Sequence, residues 1–205
     1  MALVPALPLL AAGERAAVGR RAMPMPPGTG SVERFTRKCT ACQYCVSACP
    51  TQVLKPAGLE NGLAGFMQPR MSFNVEKFCN FECMECIKAC PTSAIRHITP
   101  EEKKLTRVGV ATFHRDLCVV WTDHQDCGAC AEHCPTQAVH MIAWQDGLTI
   151  PRVEQEYCIG CGGCESICPV LPLRAITVEG LPVQDLALPP KKDNFEAGEV
   201  TDFGF

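Results

Sequence analysis

Cysteine constrains this chain more than any other residue, because all 16 cysteines fall into four groups of four. Every group ends in the pattern C-x2-C-x3-C-P. The gap after the first cysteine is two residues in the first and fourth groups, three in the second and eight in the third. A repeated spacing of this kind indicates a repeated ligand site. The groups are Cys39, Cys42, Cys45 and Cys49; Cys79, Cys83, Cys86 and Cys90; Cys118, Cys127, Cys130 and Cys134; and Cys158, Cys161, Cys164 and Cys168.

The spacing suits a cubane [4Fe–4S] cluster, in which each of four irons needs a thiolate. Three closely spaced cysteines allow one loop to bind three irons, and the fourth cysteine leaves the loop on a helical turn. In two-cluster ferredoxins this fourth cysteine binds the other cluster. We therefore expect four [4Fe–4S] clusters in two pairs, with all 16 cysteines as ligands.

The cysteines also allow three other interpretations. An even number could form eight disulfide bridges in a secreted scaffold, C-x2-C pairs occur in zinc sites, and C-x-x-C motifs carry out thiol redox chemistry. However, disulfide frameworks rarely repeat one C-x2-C-x3-C-P core four times, and thiol redox chemistry does not need four complete sets. The last cysteine also suits a cubane better than a tetrahedral ion. Iron–sulfur clusters are therefore favoured.

The four groups form an internal repeat, because their first cysteines lie 40, 39 and 40 residues apart. Alternating or apolar runs around the groups predict short strands, and the residues around each last cysteine predict one or two helical turns. The expected fold is α+β, with two pseudo-two-fold, bacterial-ferredoxin-like (βαβ)2 modules that hold two clusters each. The predicted strands lie at residues 52–54, 70–74, 94–98, 108–113, 138–142, 148–153 and 175–178.

The cluster domain is predicted to cover residues 31–180. Residues 1–30 are interpreted as a linker or a trimmed membrane-proximal segment, because Met1–Ala12 is apolar but too short to span a bilayer. Residues 181–205 contain several prolines and five acids against two lysines. They are interpreted as an extended C-terminal tail.

The composition and motifs also exclude several functions. The net charge is −3, from 19 basic and 22 acidic residues, which argues against a nucleic-acid partner. No Ser/His/Asp set, phosphate-binding loop or dinucleotide motif is apparent. We therefore expect an electron-transfer subunit that has no catalytic site and no small-molecule substrate.

Two features are particular to single groups. The insert of the third group, residues 119–126, contains Trp121 and His124. It suggests a docking surface, and less favourably a histidine ligand, since all four cysteines of the group are present. In the fourth group, Gly160, Gly162 and Gly163 either free backbone N–H groups to approach the sulfurs or meet a steric need beside a cubane.

Three segments carry a narrower resemblance: PPGTGSVERFTRKCTACQYCVSACP at 26–50, RVGVATFHRDLC at 107–118 and CIGCGGCESICP at 158–169. Together they resemble the NapG/MauM-type polyferredoxins, which accompany membrane quinol dehydrogenases, over about residues 26–180. The resemblance implies an electron-transfer subunit between a quinol-oxidising membrane partner and a periplasmic reductase. The alternative is the iron–sulfur subunit of a soluble multi-subunit oxidoreductase.

We expect the protein to be held at the bacterial inner membrane by a partner. The sequence features disagree on whether it lies on the periplasmic or the cytoplasmic side. The resemblance implies the periplasm, yet the chain has no recognisable twin-arginine signal, because Arg20 and Arg21 follow the apolar stretch. The second group also departs from the family pattern. Six basic and two acidic residues within residues 1–38 favour the cytoplasmic side by the positive-inside rule.

The groups can pair in sequence, the first with the second and the third with the fourth. They can also pair in a nested order, the first with the fourth and the second with the third. The 24-residue interval from Cys134 to Cys158 favours sequential pairs. The gap after the first cysteine is short in the two outer groups and longer in the two inner groups, which suggests that groups with similar loops pair. The four-cluster subunits of related membrane oxidoreductases also have nested pairs, so we expect nested pairing. The nested sets are Cys39, Cys42 and Cys45 with Cys168; Cys158, Cys161 and Cys164 with Cys49; Cys79, Cys83 and Cys86 with Cys134; and Cys118, Cys127 and Cys130 with Cys90.

Overall fold

Short helices and three small sheets make up the computed structural model of the chain, which describes residues 23–59 and 62–190. No helix in these ranges is long and apolar enough to cross a membrane. The helices are α1 (Val32–Lys38), α2 (Tyr44–Ser47), α3 (Glu85–Ala89), α4 (Pro100–Leu105), α5 (Val119–Thr122), α6 (Ala129–Glu132) and α7 (Gly163–Ile167). The strands are β1 (Leu54–Pro56), β2 (Pro69–Met71), β3 (Thr106–Phe113), β4 (Val139–Ala143), β5 (Thr149–Val153) and β6 (Ile176–Leu186).

Each sheet is an antiparallel pair of strands. Strand β1 pairs with β2, which connects the first cysteine group to the second, and β4 pairs with β5, which connects the third group to the fourth. Strand β3, before the third group, pairs with β6, after the fourth. The strands thus enclose consecutive cysteine groups, in a first module of residues 23–98 and a second of residues 106–190, joined through α4.

Each module has its own apolar core, in which cysteines pack among aliphatic and aromatic side chains. Phe35 and Ile87 are fully buried in the first core, and Val120 and Ile176 in the second. Phe73 borders both cores, and Val108 of β3 is buried in the first core, so the two modules are in apolar contact with each other.

The expectation of short helices and small sheets is confirmed, and one predicted strand is absent. Residues 94–98 form no strand, although Arg96 donates its backbone N–H to Gly28 O at 3.0 Å. The facing segment contains Pro24, Pro26 and Pro27. Proline has no N–H to donate, so this pairing cannot extend into a ladder.

Residues 23–30 belong to the cluster domain, which corrects their interpretation as linker. Residues 24–29 are buried. Pro24 O accepts from the backbone N–H of Met71 in the first module at 2.8 Å. On the other side, the N–H groups of Gly28 and Gly30 donate to Gln184 Oε1 in the second module, at 3.0 and 3.2 Å. This segment therefore ties the two modules together, while residues 1–22 lie outside the described residues.

The predicted tail also begins later than expected. Strand β6 continues to Leu186, which lies opposite Thr106, and Leu188 donates its backbone N–H to Glu156 O at 2.8 Å. Residues 181–190 are thus part of the second module. The remainder of the predicted tail, residues 191–205, lies outside the described residues.

Gln184 gives a test of the link between the modules. Its Nε2 donates to Pro26 O at 2.8 Å, in addition to the two bonds that its Oε1 accepts. We expect Gln184→Ala to destabilise the protein by about 1–3 kcal/mol, because buried N–H groups lose their acceptor. Anaerobic urea titration, followed by visible absorbance, should show a lower midpoint. The exposed Gln155→Ala is the control, and equal midpoints for the two variants would contradict the role of Gln184.

Candidate metal centres

The structure gathers the 16 cysteines into four sets of four. Each set takes three cysteines from one group and the last cysteine of a neighbouring group. The first set is Cys39, Cys42, Cys45 and Cys90; the second is Cys79, Cys83, Cys86 and Cys49; the third is Cys118, Cys127, Cys130 and Cys168; and the fourth is Cys158, Cys161, Cys164 and Cys134.

The sets show that consecutive groups are paired, which corrects the expected nested order. The β1–β2 and β4–β5 hairpins return the chain directly from one group to the next, and α2 packs against α3 as α6 packs against α7. The symmetric order of gap lengths does not predict the pairing, because the longer gap of the third group folds locally into α5. It therefore has no influence on which group supplies the fourth cysteine.

The arrangement of sulfurs suits a cluster better than a single ion. The second and third sets each line an apolar cavity. All 16 cysteines are free thiols. Among the described residues, no three cysteine, histidine or acidic side chains converge closely enough to hold one metal ion, whereas tetrahedral zinc needs sulfurs at about 2.3 Å from the metal. Four thiolates around a cavity match the ligand requirement of [4Fe–4S].

Burial keeps the most enclosed of these thiols protonated in the absence of metal. Burial, together with smaller contributions from neighbouring cysteines, raises the pKa of Cys45, Cys130 and Cys161 to about 12 in each case. A thiolate, not a thiol, carries out disulfide exchange and binds metal. The buried cysteines are therefore poor redox thiols, and they become ligands only by losing protons to a bound metal centre.

Backbone N–H groups oppose the effect of burial at several sulfurs. The N–H of Ala41 lowers the pKa of Cys39, against the larger effect of burial, and those of Val120 and Trp121 do the same for Cys118. Such hydrogen bonds stabilise negative charge on sulfur and raise the potentials of bound clusters. The loops thus supply the donors that an anionic cluster needs.

The glycines of the fourth group combine hydrogen-bond donation to sulfur, at Gly160 and Gly163, with close packing against neighbouring protein segments. The N–H groups of Gly160 and Gly163 lower the pKa of Cys158 and Cys161 against burial. Gly160 also has a φ of +71°, and a Cβ there would lie 2.5 Å from the backbone of Gly109. At Gly162, a Cβ would lie 2.0 Å from the ring of Phe73 in the first module.

The sequence analysis missed one set of sulfur contacts. A threonine follows three of the four last cysteines by two residues, and its Oγ1 lies 3.6 Å from Cys49 Sγ, 3.8 Å from Cys90 Sγ and 3.7 Å from Cys134 Sγ. The repeated tripeptide Cys-Pro-Thr is the signal that could have revealed these contacts. At the fourth position Val170 replaces threonine, so the third set lacks this hydroxyl.

The insert of the third group forms an aromatic cluster. The rings of Trp121 and Trp144 lie 4.9 Å apart, and His124 stacks on Trp144 with ring centroids 5.8 Å apart. Arg115 lies over Trp121 at 4.0 Å. His124 therefore packs on an aromatic ring and is not a member of any sulfur set, while a docking role for this surface stays a prediction.

The second and fourth sets meet at the contact between the modules. The backbone N–H of Cys79 donates to Cys161 O at 2.8 Å, and both cysteines line one cavity together with Pro27 and Lys103. Since each module also brings its own two sets together, the four sets form a continuous series in the order first, second, fourth, third.

Gly160 offers a test of the tight packing around the fourth set. Gly147 has a similar φ of +77° but nothing within 4 Å of an added Cβ. Alanine at Gly147 costs only the left-handed strain, about 1–2 kcal/mol, and alanine at Gly160 must also displace β3. We expect Gly160→Ala to lose cluster absorbance at clearly lower urea than Gly147→Ala, and equal midpoints would refute the packing argument.

The raised thiol pKa values predict how cluster retention depends on pH. Each buried thiol must lose a proton to bind metal, so protons compete with iron and binding strengthens as pH rises. We expect iron release to an anaerobic chelator to accelerate steadily from pH 8.5 to pH 6. A release rate that is independent of pH, or that falls on acidification, would contradict this.

Comparison with known families identifies the motifs. One 4Fe-4S dicluster domain family matches residues 38–95, and another matches residues 78–138 and 125–171. The 38–95 match falls within the first module. The 78–138 match crosses the boundary between the modules, because the motifs recur every 39 or 40 residues along the whole domain.

Curated relatives cover most of the chain. NapF, a ferredoxin-type protein of Escherichia coli K12, is 30% identical over 156 residues, which is 76% of this chain and 84% of NapF. The ferredoxin-type protein NapG of the same strain is 31% identical, over 75% of this chain and 68% of NapG. MauM, a methylamine utilization ferredoxin-type protein of Methylobacillus flagellatus, is 31% identical, over 75% of this chain and 66% of MauM.

These similarities, together with the four sulfur sets, establish an electron-transfer iron–sulfur protein with four [4Fe–4S] clusters. The chain belongs to the 4Fe-4S polyferredoxins, the family that includes the ferredoxin-type proteins NapF, NapG and MauM.

Proposed function

We propose that the 16 cysteines are the ligands and that each of the four sets binds one [4Fe–4S] cluster. The support is that each set combines three cysteines of one motif with the last cysteine of its neighbour. We further propose that each module is a pseudo-two-fold unit, since its two motif helices, α2 and α3 or α6 and α7, pack against each other.

Paired substitutions test this ligand assignment. Cys42 and Cys90 share the first set, so Cys42→Ala/Cys90→Ala damages one cluster and leaves about 12 of about 16 irons. Cys42 and Cys168 belong to different sets, so Cys42→Ala/Cys168→Ala damages two clusters and leaves about 8 irons. Nested pairing predicts the reverse result. Iron analysis, with Mössbauer spectroscopy to count intact four-iron clusters, distinguishes the two assignments.

Electrons pass along the four clusters in the order first, second, fourth, third. A [4Fe–4S] cluster supplies one-electron transfer without bond making in the protein. The chain's own residues hold the sulfurs, exclude water and donate hydrogen bonds. Cys42 of the first set is exposed, whereas Cys161 of the fourth is partly covered at the contact between the modules. The exposed Cys42 supports exchange of electrons with one partner at the first cluster, and in this proposal the other partner meets the third cluster, at the opposite end of the series.

The donor in this proposal is a membrane quinol dehydrogenase, and the acceptor is a reductase partner. The resemblance to NapG/MauM-type proteins supports it. The chain acts as an electron carrier without a catalytic site of its own and is held at the inner membrane by its partner. The iron–sulfur subunit of a soluble multi-subunit oxidoreductase is the alternative.

Reduction by isolated membranes separates these functions. Cluster-loaded protein is mixed anaerobically with inner membranes of the source bacterium, whose quinone pool has been reduced by NADH. We expect visible absorbance to bleach, and a quinol-site inhibitor to prevent it. Bleaching by the soluble fraction at an equal or higher rate, with no response to membranes, would instead support the soluble alternative.

A further inference from the structure

A buried lysine lies where the two modules meet. Lys103, on α4, exposes only 3% of its surface. Its ammonium donates to the backbone carbonyls of Asn80 and of Phe81, the latter at 2.7 Å. Both carbonyls belong to the loop between Cys79 and Cys83, so this cation is fastened to the loop of the second set.

Among the described residues, no acid neutralises the buried ammonium. Within the part of the chain that the structure describes, no carboxylate lies within ion-pair distance of Lys103, whose partners are the two carbonyls. The next residue, Lys104, differs in both respects, because its side chain is 36% exposed and pairs with Glu82 at 3.0 Å. A buried charge without a counterion is costly unless another negative group compensates it.

The anionic cluster of the second set is the compensating group. Four thiolates make a [4Fe–4S] cluster negative, and reduction adds one more negative charge, so burial disfavours the reduced form. One cysteine of this set, Cys79, shows both effects. Burial raises the pKa of Cys79, and the charge of Lys103 lowers it. The same balance acts on the cluster that these sulfurs bind.

We propose that Lys103 raises the reduction potential of the cluster held by Cys49, Cys79, Cys83 and Cys86, so that this inner cluster is not the most negative of the four. Without it, every electron that crosses between the modules would meet an uphill step at this point. Lys103 is thus a potential-setting residue of the relay, and this inference rests on the proposed function.

The test first assigns the potentials in the intact protein. Redox titration followed by electron paramagnetic resonance resolves the reduction waves of the four clusters. Cys83→Ser moves or removes the wave of the second set, and Cys42→Ser that of the first. In the unaltered protein, the second-set wave should not be the most negative; if it is, the inference is overturned.

Substitutions of Lys103 then measure its effect. Lys103→Gln keeps hydrogen-bond donors without the charge, Lys103→Met removes both, and Lys103→Arg keeps the charge. We expect the two neutral variants to lower the second-set wave by at least a tenfold change in the reduction equilibrium, which is about 59 mV for one electron. Lys103→Arg should leave this wave nearly unchanged.

Lys104→Gln is the matched control, because it removes one positive charge from the same helix. It should move the second-set wave much less than Lys103→Gln. No shift with Lys103→Gln, or an equal shift with Lys104→Gln, would overturn the inference. If both neutral variants lose iron, the order of the four reduction potentials in the unaltered protein alone supports or overturns the inference. Failure of the unaltered protein to bind four clusters would refute the proposed function, which is a separate result.

Discussion

The exchange of the last cysteine between neighbouring motifs is the interaction on which the rest of this structure depends. Each motif surrounds only three sides of a cluster, so neither half of a module is complete without the other. Aromatic residues are only 6% of the chain, and the helices have four to seven residues. Such elements are too short to be stable in isolation. The clusters, through bonds from both motifs of a pair, supply the cross-links that a larger apolar core would otherwise provide.

The same geometry balances two opposing effects on charge. Burial excludes water from the sulfurs and disfavours negative charge, while N–H groups such as those of Gly160 and Gly163, the threonine hydroxyls and Lys103 favour it. Reduction potentials follow from this balance at each set. Because the third set has Val170 in place of threonine and the second faces Lys103, the four clusters lie in different environments despite their similar motifs.

The sequence allowed the ligand chemistry and most strands to be predicted, because motif spacing and short alternating runs are local signals. It did not reveal that Met23–Gly30 crosses both modules, since this largely buried segment has a composition typical of linkers. Pairing of the motifs was predicted wrongly from gap lengths, whereas the hairpins between groups determine it. Lys103 lies in the charged helix sequence PEEKKL, which resembles a solvated surface. Its burial arises from tertiary packing, which local patterns do not contain.

Anaerobic analysis of iron and acid-labile sulfide per chain, with visible spectra before and after dithionite, tests the central claim most directly. The account predicts about 16 irons and 16 sulfides, with a broad shoulder near roughly 400 nm that bleaches on reduction. Bound zinc, with no sulfide and no colour, would contradict it and indicate a cysteine-rich interaction domain.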